Sequence, residues 1–222
     1  MLGYDLGENH PMHPLRWELT WLLAETLGVL EGFDVLTPEP AAVDTLALVH
    51  TMGYIDAVRR ASRPGFPFSV GHGLGTADTP IFAGLHQNAA LIAGGSVTAA
   101  LAIAHGEVDR AVNFCGGLHD AMADSASGFC VYNDAALAIA ALLEAGVRRV
   151  GYVDVDAHHG DGVQAAFYDD PRVLTVSIHV LPVAESADVG VVAGADGGGI
   201  GMAPPGGAGG AMVGVVVSVV AG

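Results

Sequence analysis

Apolar residues recur at helical spacing over residues 17–30, where Trp17, Leu19, Trp21, Leu22, Leu23, Leu27 and Leu30 predict an amphipathic helix with Gly28 near its end. The run Phe33-Asp34-Val35-Leu36 reads as a short strand, closed by Pro38-Glu39-Pro40. A second helix is expected over residues 44–60, then a loop rich in Gly, Pro and Ser over 62–80. A long Ala-rich helix fits residues 84–105, with Gly94-Gly95 as a candidate break. From there the pattern alternates. A short strand over 111–115 ends in the turn Gly116-Gly117, and a helix follows over 132–145. A nearly continuous apolar strand covers 147–155, a short helix 163–168, and another apolar strand 173–179.

Strands alternating with helices imply a mainly parallel sheet covered on both faces. Sites in such folds lie at the carboxyl ends of strands. His119, residues 154–159, Ser177 and His179 all fall at such ends. After about Val180 the character changes. Residues 197–222 carry no charged side chain and are dominated by Gly, Ala, Val and Pro, so the chain divides into an α/β domain over 1–180 and a Gly/Ala/Val-rich low-complexity tail over 181–222. The run over 211–220 reads as a strand-forming or aggregation-prone segment.

The chain has 222 residues, enough for one domain with a real core. Hydrophobic residues make up 51%, but Ala, Val and Gly carry most of the apolar character, and no uninterrupted apolar run is long enough for a strong membrane-span assignment. The opening Met1-Leu2-Gly3-Tyr4-Asp5 lacks a basic region followed by an apolar core, so no signal peptide is expected and a cytoplasmic location is the default. The formal net charge of −16 repels phosphate backbones, which argues against direct nucleic-acid binding. It suits a basic partner such as a lysine-rich protein, although solubility, or the composition of a GC-rich genome, accounts for it more simply. Cys115 and Cys130 sit in apolar surroundings without a CxxC, as buried thiols do.

Two constellations carry chemistry. Asp156 and His158 lie two positions apart at a strand end, so their side chains share a face, and a carboxylate beside an imidazole is half of a zinc site. Asp154 and Asp161 flank them in the position of carboxylates that orient histidines. A bare Asp-x-His is as readily coincidence; the whole run Asp-x-Asp-x-His-His-Gly-Asp-Gly is not. The second is Gly116-Gly117-Leu118-His119-Asp120 followed by Ser127-Gly128-Phe129-Cys130, which places a histidine just past a turn for proton transfer or, more plainly, as a capped loop residue.

These segments, with His10-Pro11-Met12-His13-Pro14-Leu15-Arg16, His50-Thr51-Met52-Gly53-Tyr54, Val131-Tyr132-Asn133-Asp134 and Thr175-Val176-Ser177-Ile178-His179, resemble the histone deacetylase superfamily over residues 4–179, and most of all its bacterial acetoin utilization branch. The resemblance implies a three-layer α/β/α fold of arginase/deacetylase type, incomplete at the C-terminus, and a zinc-dependent hydrolase acting on acetyl-lysine. It implies Asp156 and His158 as zinc ligands (iron(II) being compatible with the same set), His119 as a catalytic histidine hydrogen-bonded to Asp154, and Gly128 and Phe129 lining the acyl-lysine tunnel. It further implies Asp154, Asp156, Ser177 and the backbone of His158 and Ile178 around a structural potassium or sodium ion, and Arg16 beneath the site near the acetate exit. The expected partner is an acetylated protein, without direct nucleic-acid or membrane contact; the oligomeric state stays open.

Three departures from the family pattern shape the expectation. Asp120 stands where the family has a second histidine, so Asp120 and Asp161 are expected to share a proton as a weak acid with reduced activity. A third zinc ligand and a transition-state Tyr do not appear in family context after His179, where Asp188 and Asp196 are the only aspartates, and the loss of motif and charge there suggests an altered reading frame or a truncated product. Met1 starts almost on the first family motif, so the usual opening strand is expected to be missing. A catalytically impaired remnant or binding module of the same fold, and an acetylpolyamine amidohydrolase, remain alternative readings; a dinuclear manganese site of arginase type fits the motif less well.

Overall fold

The computed structural model describes residues 3–8, 10–65 and 71–180, and residues 189–194 by their backbone. The order is α1 (Leu15–Thr26), α2 (Val43–Leu46), α3 (Met52–Ala61), α4 (Leu85–Ala104), α5 (Asp134–Glu144), β1 (Val150–Asp154), α6 (Asp161–Phe167), β2 (Val173–Val180) and β3 (Val189–Gly194). The sheet runs β1-β2-β3. β1 and β2 are parallel, joined by the α6 crossover, and the register sets Asp154 opposite Ser177. β3 lies antiparallel on β2, inside the segment expected as low-complexity tail. The run over 211–220 lies outside the described residues.

Two apolar cores hold these elements. One gathers Tyr4, Met12, Leu46, Tyr54, Ile55, Leu85, Ile92, Leu118, Cys130 and Tyr132 around α3 and α4. The other packs Ala135, Ala136, Ala138, Ile139 and Leu142 of α5 against Val150, Tyr152 and Val173 of the sheet and Val163 of α6. Alternate residues of β1 and β2 face this second core, while Val153, Val155, Leu174, Ile178 and Val180 are exposed. α5 and α6 thus cover one face of the sheet.

Several expected elements differ, each for a local reason. Residues 33–36 form no strand; Phe33 and Val35 alternate with Asp34, but no partner strand lies beside them among the described residues, and Phe33, Val35 and Leu36 are exposed. Residues 111–115 form no strand either. The Asn113 side chain donates to the Ile92 carbonyl (3.1 Å) and Ser96 Oγ (2.9 Å) and accepts from Cys115 N–H (3.1 Å), taking over the bonding that a ladder would supply. The helix expected over 44–60 is two helices. Thr51 starts a new one by accepting from Tyr54 N–H, its own N–H bonds the Ala123 carbonyl, and His50 turns inward. α1 buries none of its residues. Trp17 rests against Tyr4 and Trp21 against Phe114, while Leu19, Leu22, Leu23 and Leu27 are exposed.

Gly94-Gly95 does not break α4. A side chain on Gly94 would overlap the Glu39 carbonyl, because the 39–41 segment crosses α4 closely enough for Ala41 N–H to bond Ala90 O at 2.8 Å. Among the described residues α4 is the one helix long and apolar enough to cross a membrane, yet Leu85, Ala89, Ala90, Ile92 and Ala93 are buried in the core. The two thiols are free, Cys130 buried and Cys115 half-buried.

Candidate active site

Two loops meet at the carboxyl end of β1. The first, residues 116–121, is hung on the start of α5. The Asp134 carboxylate accepts from Gly117 N–H (3.0 Å), Leu118 N–H (2.7 Å) and the Ser96 hydroxyl (2.5 Å). Asn133 caps α5 by accepting from Ala136 N–H (2.9 Å), while its amide donates to the carbonyls of His119 (2.9 Å) and Ala121 (3.0 Å). Asn133 N–H in turn bonds His50 Nε2 at 3.0 Å. The second loop, 155–160, is set by Asp154, whose Oδ1 accepts from Asp156 N–H at 3.0 Å. Glycines let the loops touch. A Cβ on Gly160 would overlap Asp154 Oδ2 and crowd His119, and one on Gly162 would overlap the carbonyls of His119 and Ala121.

His119 and Asp154, 35 residues apart, meet at 2.6 Å between Nδ1 and Oδ2, both buried. Tyr152 O–H donates to the same carboxylate oxygen at 2.6 Å. Burial alone would raise Asp154, but the bonds from His119 and Tyr152 and the His119 charge outweigh it and hold Asp154 below its ordinary range. An ionised Asp154 is acceptor-only, so the bond fixes the His119 proton on Nδ1. Burial works against the imidazolium, yet the Asp154 bond and the charges of Asp120, Asp154 and Asp156 push His119 up to about 9. Tyr152 is pushed up by burial and by Asp154.

Around this pair, His119 Nε2 lies 3.6 Å from Asp120 Oδ1 and 3.9 Å from Asp156 Oδ1. Asp156 Oδ1 lies 2.9 Å from His158 Nδ1 and accepts from His158 N–H at 2.7 Å. Asp120 is raised to about 7, first by burial, with the His119 charge opposing and the Asp161 charge reinforcing it. Asp161 Oδ1 is buried without a partner among the described residues. The structure therefore brings His119, Asp120, Asp154, Asp156, His158 and Asp161 together. Ser177 is beside Asp154 in register, its Oγ 3.1 Å from His179 Nδ1, while the Ile178 side chain points to the exposed face.

Gly128 adjoins Asp120, since a Cβ on Gly128 would overlap its carboxylate. Phe129 adopts φ 71°, unusual for a bulky residue. Tyr4 O–H holds its carbonyl at 2.6 Å and the His10 ring meets its ring edge-on at 4.6 Å, while Asp78 accepts from Gly128 N–H at 3.0 Å. Arg16 is bonded to the Pro11 carbonyl (3.1 Å) and to none of the clustered side chains among the described residues.

Sequence reasoning assigns no site role to Tyr152, Asn133, Asp134 or Asp78. Tyr152 is legible in hindsight, because it lies two positions before Asp154 on the same strand face. Asp78, in a loop without periodicity, is not.

The histone deacetylase domain model matches residues 10–186. The chain belongs to the histone deacetylase family. The acetoin utilization protein AcuC of Bacillus subtilis is 46% identical over 178 residues, covering 79% of this chain and 46% of that protein. Histone deacetylase 1 of Homo sapiens is 39% identical over 185 residues, 80% of this chain and 37% of its own length. The crystal structure of an HDAC homolog from Aquifex aeolicus superposes with a TM-score of 0.73 at 32% identity, covering 82% of this chain and 50% of that one. The fold is thus that of the deacetylases, and the chain spans about half the length, or less, of these relatives.

The donors fit a family metal in kind but fall short in number. Asp156 and His158 converge as a hard carboxylate and an imidazole, both suited to zinc. Among the described residues no group of three His, Cys, Asp or Glu could hold a metal ion.

Proposed function

We propose that this chain supplies the Asp-His half of a zinc-dependent deacetylase centre acting on acetyl-lysine of proteins, in a role akin to that of the acetoin utilization deacetylases. The observation that carries this reading is the buried Tyr152–Asp154–His119 chain, with both links at 2.6 Å, set beside Asp156 and His158.

Asp156 and His158 would hold zinc, or iron(II), with a third donor from outside the described residues; zinc in such a site supplies carbonyl polarisation and an acidified water. The chain's own residues do the rest. Asp154 orients His119 and stabilises its imidazolium, so that Nε2 presents a proton or a lone pair toward the reacting amide. Asp120 and Asp161 share a proton beside it. Gly128 and Phe129 flank the path of an acyl-lysine stem, and Arg16 serves the acetate exit. Asp154, Ser177 and the Ile178 carbonyl, with Asp156 and the His158 backbone, would wrap a potassium or sodium ion that stiffens the loop. The net charge of −16 favours a cationic peptide over nucleic acid. The free thiols fit a reducing, cytoplasmic setting.

A second reading, an impaired member of the family that binds rather than turns over, is favoured by one observation: Asp120 occupies the place of a histidine and is itself protonated up to about pH 7. Zinc content and turnover of an acetyl-lysine reporter, with and without chelator, separate the two. Stoichiometric zinc with chelator-sensitive turnover supports the enzyme, increased further by Asp120→His. Substoichiometric zinc with no chelator-sensitive turnover, unchanged by Asp120→His, overturns it. An acetylated diamine in the same assay tests the polyamine alternative.

A further inference from the structure

The most cationic place on this acidic protein lies away from the His119 cluster. All eight cationic side chains are arginines, and three of them, Arg59, Arg60 and Arg63, stand within five residues at the end of α3. With His86 and Gln87 from the first turn of α4, and Asp56, they line a cleft of about 800 Å³. The cleft's charged side chains sum to a net positive charge, whereas the whole chain carries −16.

Ordinary structural roles do not account for all three. Arg59 pairs weakly with Asp56, at 3.7 Å with both side chains half exposed. Arg59 and Arg60 sit in the last turn of α3, where cations complement the helix dipole. Arg63 lies beyond the helix. Among the described residues neither Arg60 nor Arg63 has an ion-pair partner for its side chain. Three guanidinium-bearing residues lining one cleft repel one another, and an anion bound there would offset that repulsion.

The cleft wall is also braced. His86 N–H donates to Ser62 Oγ at 2.6 Å, and Ser62 O–H donates to the Val58 carbonyl at 2.9 Å, tying the start of α4 to the end of α3. The His86 ring is held by the Tyr132 hydroxyl, 2.9 Å from Nδ1. Burial and the Arg59 charge keep that ring below the usual histidine range, so it lines the cleft as a neutral imidazole with hydrogen-bonding capacity.

We propose that this cleft binds the phosphoryl or pyrophosphoryl group of a small phosphorylated molecule through Arg60 and Arg63. Guanidinium forks match the oxygens of phosphate two at a time, which a single carboxylate would not fully use. The volume lies in the range of small-molecule sites and leaves room for more than the phosphates, as a nucleotide requires. The inference is independent of the deacetylase reading and needs no turnover to test.

The test is calorimetric titration of the full chain at low salt with inorganic pyrophosphate, with adenosine diphosphate and with acetate. Saturable submillimolar binding of pyrophosphate or the nucleotide is expected, weakened about tenfold or more in an Arg60→Ala/Arg63→Ala variant and by added salt. Arg110→Ala, elsewhere on the surface, should leave it unchanged. Tighter binding of the nucleotide than of pyrophosphate identifies a nucleotide site; equal affinity identifies a site that reads the phosphates alone. Arg60 and Arg63 are exposed, so the variants keep their fold, which circular dichroism verifies. Absence of saturable binding at millimolar ligand, equal affinity for acetate, or an undiminished affinity in the double variant would overturn the proposal.

Discussion

Asp120 offers the sharpest test of the site's electrostatics, through an Asp120→Asn substitution that keeps shape and removes titration. Its side chain is 15% exposed, 3.6 Å from His119 and beside Asp161. Burial and the Asp161 charge raise it from 3.8 to about 7 against the pull of His119. A folded-state value above the unfolded one means that the fold holds this proton more tightly than the unfolded chain does. The associated stability is present below the unfolded value and is lost as pH rises through the folded one. Between pH 5 and pH 8 the wild-type chain should therefore lose about 2–3 kcal/mol through this carboxyl alone. The amide that replaces it has no proton to lose. The variant does forgo the attraction between an ionised Asp120 and His119, which offsets part of the gain. The expectation is that the stability difference, variant minus wild type, grows by about 2 kcal/mol from pH 5 to pH 8. Urea unfolding of both proteins at the two pH values measures it. A difference flat across that range would refute the buried, proton-sharing account of Asp120.

Two further outcomes follow from the same cluster. In metal-free protein His119 should titrate near pH 9, so its contribution to stability is full below pH 6.5 and lost as pH rises through about 9; zinc at Asp156 and His158 should repel the imidazolium and lower that midpoint, and a metal-free midpoint below 7 in histidine NMR would contradict the geometry. Tyr152→Phe removes a buried 2.6 Å donor to Asp154 and should cost about 1.5–3 kcal/mol in urea unfolding. It should also raise the His119 midpoint, because Asp154 then has one donor fewer to share its charge with; an unchanged midpoint would show that the hydroxyl does not act on the pair.

How much of this is legible in the sequence depends on the distance over which each feature is made. β1, β2 and α6 announce themselves as two apolar runs with a short helix between them, and in β1 Val150, Tyr152 and Asp154 recur at period two toward a buried face. Asp154 and Ser177 can be expected side by side for the same reason. Residues 33–36 show the limit of that signal: an apolar run marks a segment able to form a strand, but a strand also needs a neighbour, and none is there among the described residues. The split at residues 47–51 escapes the periodicity because apolar spacing continues through it, although Thr51 three residues before Tyr54 is a capping position that outweighs the spacing. The arginine cleft is hidden because Arg59, Arg60 and Arg63 read as a solvated helix end until α4 supplies the opposite wall.

The His119–Asp154 contact belongs to a different category. Nothing in the spacing of two residues 35 apart predicts 2.6 Å. What makes it is a set of residues whose individual signals are ordinary: an Asn that caps a helix, an Asp that collects two loop amides, and two glycines. Asn133 and Asp134 suspend the His119 loop from α5, while Gly160 and Gly162 remove the side chains that would otherwise stand between the loops. Each becomes informative only with the others. The motif Asp-x-Asp-x-His-His-Gly-Asp-Gly therefore encodes more than its ionisable residues, since its glycines are the places where a second loop must arrive. Asp120 sits in the same frame. Its carboxylate is packed against Gly128 and His119 as closely as the rest, so a substitution there alters the proton that the cluster holds rather than the frame that holds it.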